Sequence, residues 1–136
     1  MKTYKGEISE LKSNQIFVFG SNTQGRHGKG SALIAKNKFG AKNGQSSGLQ
    51  GQSYAIITKD LTKKIHPSIS KKFIIEQIKD LYEYAVKNED KEFLIAYSNS
   101  KNLNYYSPQD MANMFSSFDI PINIIFEENF SKLLKK

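Results

Sequence analysis

The chain contains no cysteine, which excludes a disulfide scaffold, thiol catalysis and every Cys-ligated metal centre. Two histidines leave little material for a zinc site of any other kind, so no metal and no cofactor is expected. Long apolar runs are missing as well. The longest stretches, Ile16–Phe19 and Ile122–Phe126, fall far short of the ~20 residues that cross a bilayer, and no apolar signal region opens the chain. A cytoplasmic protein with no membrane partner is the expectation. There is no internal repeat, no Pro/Gly/Ser linker and no long block of like charge, so the 136 residues are read as one domain, 1–136. A chain of that length buries roughly two-thirds of its unfolded surface and needs no covalent staple.

What is present is ordinary in amount and uneven in sign. A hydrophobic fraction of 38% and a charged fraction of 24% sit near globular values and argue against disorder. Twenty Lys and Arg face 13 Asp and Glu, a net charge of +7, which points to an anionic partner. Nucleic acid and phosphate-bearing small molecules both qualify.

The hydrophobic pattern gives strands alternating with helices. Met1–Ile8 reads as an edge strand, and Ile16–Phe19, closed by Gly20, as a strand buried on both faces. Glycine-rich Gly20–Gly30 opens onto a helix over Ser31–Phe39, stopped by Gly40. Lys42–Gln52 reads as a polar connection, Tyr54–Ile57 as a second buried strand, and Ser68 or Ser70 as the cap of a helix reaching Lys87. Phe93–Ala96 and Pro121–Phe126 are further strands, Ser107-Pro108 opens a short helix to Phe115, and Phe130–Leu134 forms a last helical turn. The predicted fold class is α/β, a sandwich with a mixed, largely parallel central sheet, whose ligands bind beyond the carboxyl ends of the strands.

Glycines after a strand and before a helix turn the backbone sharply and aim N–H groups at a ligand, where the helix N-terminus adds positive potential. The run Gly20-Ser21-Asn22-Thr23-Gln24-Gly25-Arg26-His27-Gly28-Lys29-Gly30 therefore reads as a phosphate cradle. It lacks the Gly-Lys-Ser/Thr of a Walker loop, and Gly28-Lys29-Gly30 is too short for the dinucleotide fingerprint. A flexible glycine turn with no ligand has the same pattern.

The spacing Asn22-Thr23-x-Gly25-x-x-Gly28-x-Gly30-x-Ala32-Leu33-x-x-Lys36-x-Lys38-Phe39 resembles the ADP-ribose-binding signature of macro domains. The nearest branch holds terminal ADP-ribose glycohydrolases, ADP-ribose phosphate phosphatases and the antitoxins that strip ADP-ribose from DNA. Gly6-Glu7-Ile8 is similar to the Gly-Asp-Ile that opens that fold, and Ile56-Ile57-Thr58-Lys59 to the strand end bearing the glycohydrolase lysine. Phe17–Asn22 with Gly48–Ile56 also resembles short phage and bacterial macro-like proteins. The resemblance implies a three-layer α/β/α macro-like sandwich and a role for each matched residue. Glu7 would accept from the adenine amine with Ile8 at the base. Gly25, Gly28, Lys29 and Gly30 would surround the diphosphate, and Asn22 would hold the distal ribose hydroxyls beside the reacting sugar. Lys59 would attack that sugar, a task that requires a neutral amine. As one cation among Lys63, Lys64, Lys71 and Lys72, Lys59 reads equally as a solvated side chain.

The second loop of the family, normally glycine-rich, falls on Tyr97–Tyr106, which has no glycine. Ser98, Asn99, Ser100, Lys101, Asn102, Asn104 and Tyr106 are its candidate ligand contacts, and Lys101 would supply charge in place of lost backbone donors. The acid/base aspartate of the glycohydrolases falls on Asn104, and an amide cannot shuttle a proton, so catalysis through Lys59 needs Asp60 or Asp110 as a substitute. His27 is a candidate phosphate donor or general acid, set against an ordinary loop histidine bonded to backbone. His66 reads as a surface residue. Tyr97, Tyr105 and Tyr106 could stack on a base or simply pack under a loop. The expected ligand is thus ADP-ribose or an ADP-ribosylated substrate, with hydrolysis of an ADP-ribosyl linkage or terminal phosphate as its enzymatic version. A non-catalytic ADP-ribose reader and a basic nucleic-acid-binding domain are the rival readings.

Overall fold

The computed structural model describes residues 2–97 and 106–135. The apolar run Ile16–Phe19 lies inside β2 (Gln15–Asn22), and all four side chains are buried. They divide by alternation. Ile16 and Val18 join one hydrophobic cluster while Phe17 and Phe19 join another, so the strand is covered on both faces, as a run without polar alternation requires. Parallel neighbours flank it, β4 (Ser53–Lys59) on one side and β5 (Glu92–Ile95) on the other. Outside β5 lie β6 (Ile124–Glu127) and then the two-residue β1 (Thr3–Tyr4), both parallel, and β3 (Gly48–Gln50) runs antiparallel at the edge of β4. The sheet order is β1-β6-β5-β2-β4-β3, which makes the predicted mixed, mostly parallel α/β sandwich the observed one.

Helix α1 (Gly30–Lys38) turns Ala32 and Ala35 onto Phe17, Phe19, Phe39 and Ala55 on one face. The opposite face is covered by α2 (Lys71–Lys87), α3 (Pro108–Phe115) and the short α4 (Glu128–Ser131). Each of the last three has its own start signal. Ser70 accepts from Phe73 N at 3.1 Å, Ser107 accepts from Asp110 N at 3.0 Å ahead of Pro108, and buried Glu127 accepts from Asn129 N and Phe130 N. In α2 the buried positions Ile74, Ile78, Leu81, Tyr82 and Ala85 follow helical spacing. No helix among the described residues is long and apolar enough to cross a membrane.

Several boundaries differ from expectation: the edge strand expected over Met1–Ile8 is only Thr3–Tyr4, the last helical turn is Glu128–Ser131 instead of Phe130–Leu134, and others differ for a tertiary reason. The polar connection Lys42–Gln52 contains β3, whose three residues pair Gly48 with Ala55 and Gln50 with Ser53 and carry too little alternation to announce a strand. Its return turn passes so close to Gly40 that a Cβ on Gly51 would lie 2.7 Å from the Gly40 Cα, and both glycines have positive φ. Beyond Ala55 the exposed edge of β4 is closed by a side chain. Gln77 of α2 accepts from Ile57 N at 2.7 Å and donates to Ile57 O at 2.8 Å, taking the place of the missing strand. At the other end of the sandwich, β6 starts at Ile124 instead of Pro121, because Ile124 N closes a turn on Pro121 O and leaves Ile122 in solvent.

β2 runs three residues past its apolar segment, through Gly20, Ser21 and Asn22, because β4 keeps pairing with it until the register shifts between Ser21 and Asn22. This extension sets the site. β2 leads towards α1 on one face and β4 towards α2 on the other, the arrangement at whose strand carboxyl ends open α/β sheets form a ligand crevice.

Candidate functional site

The loop after β2 is built by its own first residue. Asn22 Oδ1 accepts from Gln24 N at 3.2 Å and from Arg26 N at 3.0 Å, while Nδ2 donates to Arg26 O at 2.7 Å. The side chain expected to hold ribose hydroxyls is committed instead to closing the loop, as short polar residues do in Asx turns. Gly25 is corrected in the same way. It is buried with φ of 64°, its carbonyl accepts from Gly44 N at 2.9 Å, and a Cβ there would lie 2.7 Å from the Gly44 carbonyl carbon. Close backbone packing, not a ligand, calls for this glycine.

His27 does not stand on the open side of the loop. Only 1% exposed, it sits edge-on to Phe19 at 5.2 Å, with its backbone N–H on Asn43 Oδ1 and its Nε2 3.1 Å from Gln50 Oε1. Gln50, also buried, decides the tautomer. Its Oε1 already accepts from Lys42 N at 2.8 Å and its Nε2 donates to Gln45 O at 3.1 Å, so the amide oxygen faces the imidazole and His27 Nε2 must carry the proton. Nδ1 is then a bare acceptor. Neither it nor Ser21 Oγ, on the same face of β2 as Phe19, has a hydrogen-bond partner among the described residues. The expected phosphate donor is a buried tie between the loop and segment 42–50, a role that no local sequence signal marks because Gln50 lies 23 residues away.

What remains open is Gly28-Lys29-Gly30. All three are exposed, and among the described residues no atom lies within 4 Å of a Cβ built on Gly28. Lys29 is the N-cap of α1 with extended backbone, makes no side-chain cap, and is followed by a first turn without an acidic residue. The first N–H groups of α1 thus meet no competing carboxylate, which leaves a positive helix end available to an anion. Ile8 packs against the Phe17/Phe19/Ala32 cluster under the same face, next to the exposed Glu7.

Lys59 ends β4 opposite Asn22, half-buried, with its carbonyl accepting from Thr23 N at 3.0 Å. Next to it, Asp60 Oδ1 accepts from Thr62 Oγ1 at 2.6 Å, Thr62 N at 2.9 Å and Thr23 Oγ1 at 3.3 Å. The Thr62 hydroxyl foremost, then the Thr62 amide, with Thr23 and the Lys63 charge, hold this carboxyl below its ordinary range. A carboxylate fixed as an anion is a poor proton donor, so Asp60 is no substitute for the missing acid. Asp110 lies in the first turn of α3, 3.5 Å from Lys71.

Two of the three aromatic candidates are described, and both make contacts within the protein. Tyr106 donates to Ile69 O at 2.7 Å and lies under the Lys71 ammonium at 5.8 Å, and Tyr97 packs against Phe130 at 5.2 Å. Both side chains are half-buried. Ser98, Asn99, Ser100, Lys101, Asn102, Asn104 and Tyr105 lie outside the described residues. Among the described residues no three His, Cys, Asp or Glu side chains converge to hold a metal ion. No family model, curated protein or solved structure matches the chain.

Proposed function

We propose that the chain is a macro-like domain that binds ADP-ribose, or a closely related ADP-ribosyl nucleotide, in the crevice between residues 22–30 and Lys59. The observation that carries the reading is the uncapped start of α1 at Lys29, reached past a Gly28 with open space around it. The diphosphate would lie over these N–H groups, and the sugar nearest the crevice would meet Lys59. Ile8, packed on the α1 face with Glu7 beside it, would meet the adenine end in this reading. Hydrolysis of an ADP-ribosyl linkage or terminal phosphate is the enzymatic form of this proposal, with Lys59 as nucleophile. The non-catalytic reader is the simpler form, because Asn104 cannot shuttle a proton and Asp60 is held as an anion.

Calorimetry with ADP-ribose tests the proposal. Micromolar or tighter binding, about −8 kcal/mol, is expected. Gly28→Val should weaken it more than about tenfold, since a branched side chain blocks close approach of an anion to the backbone. Gly28 needs no positive φ and its Cβ meets no described atom, so that loss reports the site and not the fold. No heat at millimolar ADP-ribose overturns the assignment.

One observation favours a nucleic-acid partner as a second reading. Arg26, Lys29, Lys63, Lys64 and Lys72 are exposed on the segments that follow β2 and β4, positive charge that suits a phosphate backbone.

A further inference from the structure

The β4–α2 connection holds a serine and a histidine that the nucleotide reading does not use. Asp60 N donates to Ser68 Oγ at 2.8 Å, so this oxygen is already an acceptor and its own proton must point elsewhere. Two acceptors are in reach, His66 Nδ1 at 2.8 Å and the Asp60 carbonyl at 3.4 Å. Both tautomers of His66 satisfy the shorter contact, and in the Nε2-protonated one the Ser68 hydroxyl donates to Nδ1. A hydroxyl donating to a neutral imidazole is the arrangement by which a histidine activates a serine. Ser68 is half-buried.

The surroundings select the electrophile. Ser68 stands two residues before Ser70, the N-cap of the 17-residue α2, whose first turn has no acidic residue. Exposed Lys63 and Lys64 lie on the same connection. Both features favour negative charge building up next to Ser68, as it does on the oxygens of a phosphoryl group under attack.

We propose that Ser68 is a nucleophile toward phosphoryl centres, with His66 as its base. In the step, a bond forms between Ser68 Oγ and phosphorus as the bond from phosphorus to its leaving group breaks. The hydroxyl proton passes to His66 Nδ1, which returns it to the departing anion. This site stands apart from the ADP-ribose reading and does not require it.

Diisopropyl fluorophosphate tests it on the intact protein. The Ser68 Oγ–phosphorus bond would replace the phosphorus–fluorine bond, with fluoride leaving and the proton going to His66. Mass spectrometry and peptide mapping should find one adduct, on Ser68, and none on Ser68→Ala. His66→Asn keeps an acceptor near the Nδ1 position but cannot take the proton, so it should slow labelling by about 100-fold or more. Exposed Ser70, whose Oγ accepts from Phe73 N, is the internal control. Absence of an adduct, labelling of Ser70 in preference, or a His66→Asn rate within about threefold of wild type would each overturn the proposal. ADP-ribose titration of the same variants reports the crevice separately.

Discussion

Gln50→Leu is the sharpest perturbation of the loop that carries the candidate site, although Gln50 touches none of its open residues. The side chain is 3% exposed, and its oxygen serves both His27 Nε2 and Lys42 N. Leucine fills similar volume and accepts nothing. The buried His27 N–H is then left without a partner, at about 1–3 kcal/mol, and the part-buried Lys42 N–H loses about 1 kcal/mol more. The sum is about 2–4 kcal/mol, a large share of the ~5–15 kcal/mol that holds a typical domain together. Urea unfolding should show it as a fall in midpoint of about 1–2 M at unchanged slope. The double variant His27→Leu, Gln50→Leu removes the orphaned donor together with its acceptor. It should recover about 1–2 kcal/mol relative to Gln50→Leu alone, because replacing both partners of a buried bond with apolar groups is far cheaper than removing one. A coupling below about 0.3 kcal/mol would refute both the tautomer assigned to His27 and its role as the tie between loop and hairpin.

Asp60 carries a pH dependence of definite sign. Its carboxyl is held below the ordinary value of 3.8 by Thr62 and Thr23, so its contribution is complete above that value and is lost as pH falls through the lower folded one. NMR should find the Asp60 and Thr62 signals titrating together below the ordinary midpoint, and a midpoint at or above it would contradict the bonding described. If nucleic acid is the partner, log affinity should fall steeply with log salt, and Lys63→Glu with Lys64→Glu should flatten the slope. Equal oligonucleotide binding by wild type and this variant would remove the connection from the interface.

Much of the architecture was legible because it rests on local patterns. The uninterrupted Ile16–Phe19 run predicted a strand covered on both faces, and Ser107-Pro108 predicted the start of α3. The extension of β2 to Asn22 was not legible, since Ser21 and Asn22 are strand only because Ile57 and Lys59 stand opposite. In the site, glycine spacing located the open positions Gly28 and Gly30 but could not separate them from Gly25, whose need for glycine comes from Gly44 and Gln45 nearly 20 residues on. A polar residue after a strand reads as a ligand contact until its bonds are traced. Asn22 and His27 both turn out to bond protein, one within its own loop and the other to a hairpin not predicted at all.

The chemistry open to Lys59 is limited by where protons can go. Releasing ADP-ribose requires a neutral amine to attack and a group to protonate what leaves. Asp60 adjoins Lys59 in the chain, yet its Oδ1 accepts from Thr62 twice and from Thr23, so it stays anionic at neutral pH. Asp110 is drawn to Lys71, and His27 is sealed beneath the loop. Asn104, which the macro-like resemblance aligns with the acid, is an amide with no proton to give. The expected outcome is tight ligand and slow chemistry. Lys59→Ala should leave ADP-ribose affinity within about threefold of wild type, because the amine acts on the bond and not on the adenosine end, and should remove whatever release the wild type shows. Asn104→Asp should raise that release in the wild type and fail to raise it in Lys59→Ala. Robust turnover that survives Lys59→Ala would refute the lysine mechanism and move the search for the nucleophile to an activated water.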